Sequence, residues 1–282
     1  MKLQPTRKSF ENYIRLGFEY ASRKSFDKNS LLALKKISLI DDAVLIVDDI
    51  IDNSKTRNGK PCMYLQEGIQ SAIIQAELNK VQAIENLIKV MKISKTKDSF
   101  QKIVLEKIFE FFKNIYLGEK LDLELDKSKK SHKTILKKYD LMIKLFTGGH
   151  IKFGLEIGQL IANKNPEENL SKISEHAGII RQIVDDYNDY FEEHHEPFGD
   201  FINELNRFPE IIFKKQKGNR SQAIKLIEKK EYKKARDIIL NEKARKEIFK
   251  KCQIEFNKIQ KIKTEFQKEI LIEDFNKIIN IN

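Results

Sequence analysis

The chain has 282 residues, and 53 Lys and Arg against 42 Asp and Glu give it a formal net charge of +11. Its hydrophobic content of 40%, which includes 18 Phe and 8 Tyr, excludes intrinsic disorder. With 11 Gly and 5 Pro the chain has too few turn residues for a many-stranded sandwich or barrel, so long helices are favoured. Two cysteines exclude a disulfide framework or a zinc site and favour a reducing, cytoplasmic location.

The excess of positive charge does not identify a partner. Many lysines alternate with Ile, Leu and acids at helical spacing, as in Lys229-Lys230 and Lys233-Lys234, which is typical of a solvated helix face. The sequence shows no nucleic-acid-binding motif, and no run approaches the roughly 20 apolar residues that a membrane-spanning helix needs. We therefore expect neither a nucleic-acid partner nor a membrane span.

Apolar residues recur with helical period along nearly the whole chain. Asn29 and Ser30 are predicted to cap a helix that runs from Leu31 to about Ile51. Further helices are predicted over residues 68–91, 98–123, 131–162 and 166–191, a loop over 192–197, and one or two helices over 242–277. Because no repeat and no linker rich in Gly, Ser or Pro divides them, residues 1–282 are predicted to form a single all-α domain.

Two aspartate clusters, Asp48–Asp52 and Asp185–Asp189, each follow an apolar run and share one spacing. Residues four apart lie on one helix face, so the first and last aspartates of each cluster point the same way. A lone acidic cluster is usually a solvated face, but two of identical spacing after apolar runs favour two half-sites that face one cavity and bind a diphosphate through Mg²⁺. The candidate metal ligands are Asp48, Asp49, Asp52, Asp185, Asp186 and Asp189.

The residues around both clusters resemble motifs of the trans-isoprenyl diphosphate synthases, the polyprenyl synthetase family. Residues 45–61 resemble the first aspartate-rich motif, and are most similar to the geranylgeranyl diphosphate synthase branch. Thr147-Gly148-Gly149 is similar to the Lys-Thr-Gly-Gly helix of the family, and residues 182–187 to its second aspartate-rich motif. Phe198-Gly199-Asp200 and Phe208-Pro209 fit the segment that follows, so the resemblance covers about residues 10–280.

The resemblance implies an isoprenoid synthase-type helical bundle around a deep apolar cavity, usually a homodimer. It also implies an allylic prenyl diphosphate substrate held by about three Mg²⁺ ions, whose C–O bond ionises to a carbocation while metal and cationic side chains stabilise the leaving diphosphate.

Individual roles are also implied by the resemblance. Asp48, Asp52 and Asp185 would bind the ions, and the other three aspartates would be partial or outer ligands. Arg57 would bind the diphosphate, with Lys144 and Arg207 as substitutes for two family lysines. Dipoles of Gln182 and of the Thr147 carbonyl would point at the cation.

The sequence departs from the family where isopentenyl diphosphate, the second substrate, would bind. Asp41 stands at a position that is His in the family, and Asn58 stands at the second Arg of an Arg-Arg-Gly motif. The N-terminal Gly-Lys-x-x-Arg is replaced by Ser9–Tyr13. With these three basic elements lost and an acid gained, isopentenyl diphosphate is predicted to bind poorly. The allylic half of the site is also altered, since Phe146 replaces the Lys before Thr147.

Three hypotheses follow. The favoured one is a terpene synthase, a lyase whose cation cyclises or loses a proton; Ala43 and Val44, small residues before the first aspartate, predict room for a C15–C20 or longer chain. The alternative is a prenyltransferase, which makes geranylgeranyl or polyprenyl diphosphate or alkylates another acceptor. The third is a regulatory subunit of a heteromeric synthase. His150 is interpreted as a packed helix histidine rather than as the base for the final deprotonation.

Overall fold

A computed structural model of the chain describes residues 9–57, 59–126, 131–191 and 197–272. Most of this part of the chain is helical, which confirms the predicted all-α class. The helices are α1 Phe10–Ser22, α2 Lys28–Lys35, α3 Leu39–Ile51, α4 Met63–Glu67, α5 Ile69–Ile93, α6 Asp98–Asp126, α7 His132–Leu145, α8 Thr147–Ile161, α9 Glu168–Asn188, α10 Gly199–Ile202, α11 Phe208–Lys215, α12 Arg220–Glu228, α13 Tyr232–Ile239 and α14 Glu242–Lys261. Within the described ranges, every helix is too short or too polar to cross a membrane.

The first predicted helix begins earlier than expected and is interrupted. Asp27, not Asn29 or Ser30, is the N-cap, since its carboxylate accepts hydrogen bonds from the backbone N–H groups of both residues. A 3₁₀ turn over Lys36–Ser38 then separates α2 from α3. There the Ser38 hydroxyl donates to the Lys35 carbonyl at 2.7 Å, a local bond that competes with the regular helical pattern.

The helix predicted over 131–162 is also two helices, α7 and α8. Phe146 separates them with φ −91° and ψ −90°, outside the helical region. The predicted region 242–277 contains α14 followed by a 3₁₀ turn at Lys268–Leu271. Residues 192–196 of the predicted loop, and the chain beyond 272, lie outside the described residues.

A short antiparallel hairpin after α3 was not predicted. Thr56–Arg57 pairs with Lys60–Pro61, and Arg57 lies opposite Lys60 in the register. Gly59 in the turn has φ +74°, a left-handed conformation that glycine adopts without strain. The hairpin matters to the site because it turns Arg57 back towards the C-terminal end of α3.

Residues 1–111 and 150–171 form one compact unit, in which α3 packs along α5. Helix α1 crosses α8 with its backbone almost in contact. A Cβ on Gly158 would lie 2.1 Å from the Ile14 carbonyl oxygen, and one on Gly17 would lie 2.2 Å from the Leu155 carbonyl oxygen. Only glycine allows this approach, so the crossing fixes the position of α1 in the unit.

Residues 112–149 and 172–282 form the second compact unit. Here α11 packs against α7, α13 and α14. Gly178 on α9 approaches the start of α8 so closely that a Cβ would lie 2.5 Å from the Gly148 Cα. Large aromatic side chains fill the interior: Tyr139, Tyr190, Phe198, Phe201 and Phe213. That residues 1–282 act as a single domain stays a prediction.

Candidate active site: two aspartate clusters

The first cluster lies in the last turn of α3. The buried residues Ile40, Ala43 and Val44 anchor one face of this helix. Asp49 is buried, Asp48 is half-buried, and Asp52 is the C-cap, whose N–H donates to the Asp48 carbonyl at 2.9 Å. The helical spacing therefore places three carboxylates within one turn, as the sequence predicts.

Arg57 binds two of these carboxylates. Its Nε donates to Asp49 Oδ1 at 2.9 Å, and its Nη2 donates to Asp49 Oδ1 at 2.5 Å and to Asp48 Oδ2 at 3.0 Å. Burial disfavours the charged guanidinium, but the hydrogen bond and charge of Asp49, with the charge of Asp48, outweigh it and raise the pKa of Arg57. Arg57, which is predicted to bind the diphosphate, is thus paired with two of the predicted metal ligands.

Asp41, which stands in place of the family histidine, has two partners in the same unit. Its Oδ2 accepts a hydrogen bond from the Phe10 backbone N–H at 3.0 Å, and its Oδ1 lies 3.3 Å from His150 Nε2. The carboxylate added at this position is therefore partly compensated rather than isolated. Asn58, the other altered position of the predicted acceptor site, lies outside the described residues.

In the second cluster, on α9, Asp186 is almost fully buried and accepts three hydrogen bonds. The donors are the Tyr139 hydroxyl at 2.5 Å, the Phe208 backbone N–H at 3.0 Å and Gln182 Nε2 at 2.9 Å. Burial is the largest influence and raises the pKa of Asp186 to about 6, against the charge of Arg207.

Gln182 also links α9 to the start of α8. The Thr147 hydroxyl donates to Gln182 Oε1 at 2.5 Å, so the amide is held at both ends. The close approach of Gly178 to Gly148 brings the two helices near enough for this bond. The structure thus places Thr147 and Gln182 together with Asp186, three of the residues predicted from the motifs.

Asp189 lies one turn after Asp185, at the end of α9. Its Oδ2 accepts from the Asp200 backbone N–H at 3.3 Å. Burial, and then the charge of Asp200, raise the pKa of Asp189 to about 8. Arg207, only 8% exposed, contacts Asp122 Oδ1 at 2.5 Å and lies 3.8 Å from Asp200 Oδ2. Arg207 therefore lies beside the second cluster with Asp122 as its close partner, and its binding of the diphosphate stays a prediction.

Two further predicted residues lie at the surface of this unit. Asp185 is exposed and lies 3.9 Å from Arg181, and Lys144 lies 3.1 Å from Glu175. Both side chains are accessible to a ligand, in contrast to Asp186.

Three residues beside the second cluster were not foreseen from the sequence: Asp122, Tyr139 and Glu210. Asp200 was named only as part of the motif Phe198-Gly199-Asp200, without a role in the site. Both carboxylate oxygens of Glu210 are buried without a hydrogen-bond partner, and burial, with the charge of Asp186, raises its pKa well above the usual range. For Asp122 the sequence held one signal that it faces the interior. It lies on the same face of α6 as three apolar residues that are buried, Phe111, Ile115 and Leu125.

The donor set fits Mg²⁺ bound with substrate. Among the described residues, no group of three or more His, Cys, Asp or Glu side chains is arranged to hold a metal ion alone. Mg²⁺ is commonly bound through one or two carboxylates, water and substrate phosphates, so a preformed cage is not required. Asp48 and Asp49 already bind the guanidinium of Arg57, and burial together with the charge of Asp200 raises the pKa of Asp189.

The fold is that of the helical isoprenyl diphosphate synthases. A polyprenyl synthase from Caulobacter crescentus CB15, solved with calcium and isoprenyl diphosphate, matches with a TM-score of 0.73 and 19% identity over 96% of this chain and 84% of that chain. The heptaprenyl diphosphate synthase from Staphylococcus aureus matches with a TM-score of 0.70 and 20% identity over 97% and 86%.

The profile of the polyprenyl synthetase family matches residues 14–247, and the chain belongs to this family. This confirms the resemblance carried by the two aspartate motifs and identifies the protein as an enzyme of the isoprenoid synthase class.

Curated relatives include both types of activity considered above. The short chain isoprenyl diphosphate synthase of Methanocaldococcus jannaschii is 28% identical over 238 residues, 83% of this chain and 67% of that protein. The farnesyl pyrophosphate synthase of Candida albicans is 28% identical over 62% of this chain and 52% of its own length. The sesterfisherol synthase of Neosartorya fischeri is 30% identical over 57% of this chain, but the match spans only 20% of that longer protein.

Proposed function

We propose that this enzyme ionises an allylic prenyl diphosphate of C15–C20 or longer in a Mg²⁺-dependent reaction, and that the resulting cation cyclises or loses a proton to give a terpene. The observation that carries the proposal is the pairing of Asp41 with Phe10 N–H and His150 at the position of a family histidine. The residues expected to bind isopentenyl diphosphate differ from those of the family, whereas the six aspartates expected to promote ionisation are all present.

The aspartates act on the diphosphate end of the substrate. Mg²⁺, when bound, supplies Lewis-acid stabilisation of the leaving diphosphate. Asp48, Asp52 and Asp185 are the proposed ligands for about three ions, with Asp49, Asp186 and Asp189 as partial or outer ligands. Arg57 forms ion pairs with Asp48 and Asp49, so its guanidinium lies next to two of the proposed metal ligands. From there it is proposed to bind the diphosphate that the metal ions hold.

The other predicted groups bind the leaving group or orient dipoles. Lys144 and Arg207 are proposed to add positive charge for the diphosphate. Gln182 is fixed between Thr147 and Asp186, so its amide dipole needs no reorganisation when positive charge develops on the substrate.

A prenyltransferase is the second candidate, and the relatives favour it. The Methanocaldococcus jannaschii protein, which matches 83% of this chain, is named an isoprenyl diphosphate synthase. In this case the chain would bind isopentenyl diphosphate or another acceptor near Asp41, whose carboxylate accepts a hydrogen bond from the Phe10 N–H and lies 3.3 Å from His150 Nε2.

One assay separates the hypotheses. The protein is incubated with C10, C15, C20 or C25 allylic diphosphates and Mg²⁺, with and without isopentenyl diphosphate, and both inorganic diphosphate and organic products are measured. We expect diphosphate release and hydrocarbon products without isopentenyl diphosphate. Longer prenyl diphosphates formed only when it is added would establish the prenyltransferase instead, and absence of turnover in both arms would leave the regulatory subunit.

A matched pair of variants controls for a loss of activity that any substitution of a surface aspartate would cause. Asp185 and Asp237 are both 56% exposed and each lies within 4 Å of an arginine, Arg181 and Arg245 respectively. Asp185→Asn is expected to abolish most turnover, and Asp237→Asn is expected to leave it unchanged. Equal activity in the two variants would contradict the metal-ligand role.

A homodimer is the proposed assembly. Helix α5 carries a stripe of exposed apolar residues, more than an isolated surface usually leaves to water. They are Ile69, Ile73, Ile74, Leu78 and Val81. We expect light scattering to give twice the chain mass of 33.1 kDa, and Ile74→Lys with Val81→Lys to shift the protein to a monomer.

A further inference from the structure

We infer that Tyr139 and Asp186 are positioning residues, which orient the side-chain amide of Gln182 so that its carbonyl end is the one available to a positively charged substrate. The inference deepens the proposed function and rests on it, since that function requires the Gln182 dipole to point at the cation. It assigns Asp186 a role inside the protein instead of the role of an outer metal ligand. All the residues concerned belong to one compact unit, residues 112–149 and 172–282.

Both carboxylate oxygens of Asp186 are engaged by protein donors. Oδ2 accepts from the Phe208 backbone N–H at 3.0 Å and from the hydroxyl of the buried Tyr139 at 2.5 Å. Oδ1 accepts from Gln182 Nε2 at 2.9 Å. Asp186 is 3% exposed, whereas the neighbouring Asp185 is exposed. A carboxylate enclosed in this way is placed to orient its donors, and Asp185 is the member of the pair that is accessible to an ion.

The direction of the hydrogen bonds is set by the chemistry of Asp186. An ionised carboxylate can only accept hydrogen bonds, so the group that faces its Oδ1 must be a donor. Gln182 therefore presents its NH₂ group to Asp186. The amide oxygen lies at the other end of the Gln182 side chain, where it accepts from the Thr147 hydroxyl at 2.5 Å. The carboxylate thus decides which end of the amide faces inward.

Gln182 is the accessible member of this network. Thr147, Tyr139 and Asp186 are buried, whereas Gln182 is half-buried. The amide oxygen can accept two hydrogen bonds, and among the described residues the Thr147 hydroxyl supplies one. The second lone pair is available to a cation. Because the amide is already held at both ends, its dipole needs no rearrangement when positive charge develops on the substrate.

Asp186→Asn is expected to reverse the orientation of the Gln182 amide. A backbone N–H can only donate, so the Phe208 N–H keeps the oxygen of the introduced asparagine at the Oδ2 position, and the new NH₂ group faces Gln182. Gln182 must then turn its carbonyl oxygen inward to accept. Its NH₂ group moves to the Thr147 hydroxyl, which can accept as well as donate. The positive end of the dipole would then face the substrate and disfavour the cation.

A double-mutant cycle tests whether Asp186 acts through Gln182. The values of kcat and KM are measured for Asp186→Asn, Gln182→Met and the combined variant at about pH 7.5, where Asp186 with its pKa of about 6 is ionised. For Asp186→Asn we expect kcat to fall about 10²-fold with little change in KM, which is the size of loss typical of one oriented dipole. When Gln182→Met is already present, Asp186→Asn should add little. Independent, additive losses would overturn the inference.

Tyr139→Phe keeps the test decisive if Asp186→Asn does not fold. It removes one of the two donors to Oδ2, so kcat should fall several-fold, and this loss should disappear when Gln182→Met is present. Tyr190→Phe is the matched control. Tyr190 is also fully buried in this unit, but its hydroxyl has no hydrogen-bond partner among the residues that the structure describes. Equal kcat values for the two tyrosine variants would contradict the inference.

The orientation of the amide is measured without turnover by nuclear magnetic resonance of the metal-free protein. The side-chain amide signal of Gln182, identified by its loss in Gln182→Met, should shift in Asp186→Asn. The signal of Gln159 is the internal control, because its amide is also held at both ends, by the Leu155 carbonyl and the Glu167 N–H, in the other unit. An unchanged Gln182 signal would overturn the inference.

Metal binding separates the positioning role from a ligand role. In calorimetry of Mn²⁺ with inorganic diphosphate present, Asp186→Asn should bind with the affinity of the wild type, and Asp185→Asn should bind more weakly. Equal weakening in both variants would make Asp186 a metal ligand and overturn the inference. If the wild type turns over only when isopentenyl diphosphate is added, the terpene synthase proposal fails by itself, and the cycle is measured in that condensation. If it turns over in neither assay, the resonance and calorimetry results decide.

Discussion

The carboxylate of Asp41 accepts a hydrogen bond from the Phe10 backbone N–H at 3.0 Å, which connects the first turn of α3 to the first residue of α1. Asp41→His removes this acceptor, and a hydrogen bond to a charged group contributes about 1.5–3 kcal/mol. We therefore expect the variant to unfold at a lower temperature and to gain no chain elongation. Calorimetry and an elongation assay check this, with Asp42→His on the same turn as control. Unchanged stability together with rapid elongation would show that the family histidine fits here freely.

Arg57 is expected to compete with divalent cations for Asp48 and Asp49. Arg57→Gln removes the ion pairs that Arg57 forms with the two carboxylates. In the absence of diphosphate the variant should therefore bind Mn²⁺ more tightly, because the metal no longer has to displace a guanidinium. With diphosphate present the same variant should bind more weakly, since the proposed anion ligand is missing. Titration calorimetry with and without diphosphate measures both. A change in the same direction under both conditions would contradict the double role.

Asp189→Asn is expected to stabilise the metal-free protein. Burial and the charge of Asp200 raise the pKa of Asp189 to about 8 in the folded protein, against 3.8 in the unfolded chain. The contribution of Asp189 to the free energy of unfolding is therefore fully present below pH 3.8 and is lost as the pH rises towards 8. The variant should therefore melt above the wild type, and the difference should be larger at pH 8.5 than at pH 5. A gain of about 2 kcal/mol corresponds to about 4–8 °C. Asp237→Asn is the control, and a pH-independent difference would argue against the electrostatic cause.

Glu255 is expected to have the opposite pH dependence. Burial disfavours its charge, but hydrogen bonds from His176 and Lys258 and the charge of Lys251 outweigh this and lower its pKa to about 2. Its stabilising contribution is present above the unfolded value of 4.5 and is lost as the pH falls towards 2. In urea unfolding, Glu255→Gln should be less stable than the wild type at pH 7, and the two curves should converge in acid. Glu242→Gln, at an exposed i,i+4 pair with Lys246, should show little effect at either pH.

Sequence patterns predicted the features that depend on neighbours along the chain. Periodicity located most of the long helices, and the spacing of Asp48 to Asp52 placed those carboxylates on one turn. The break at Phe146 was missed because it accompanies the contact of Gly148 with Gly178, which lies thirty residues further along.

The partners of the predicted site residues were harder to foresee. Tyr139 meets Asp186 over a separation of 47 residues, and Asp122 meets Arg207 over 85. Such pairings are decided by helix packing. Periodicity indicates which face of a helix is buried, but not which helix packs against that face. The Asp41–His150 contact is of the same kind, because the two residues are far apart along the chain.

The crossing of α1 over α8 has a consequence for motion on slow timescales. With Gly17 and Gly158 in backbone contact, α1 cannot lift from α8 by rotating side chains; the two backbones must separate as a whole. The α1 amides should therefore exchange with deuterium only through cooperative opening of their unit, more slowly than those of α7, which is of similar length. An N-terminal segment that exchanges last would mark α1 as part of the stable nucleus that holds Phe10 against Asp41, and Gly158→Ala should accelerate exchange along its entire length.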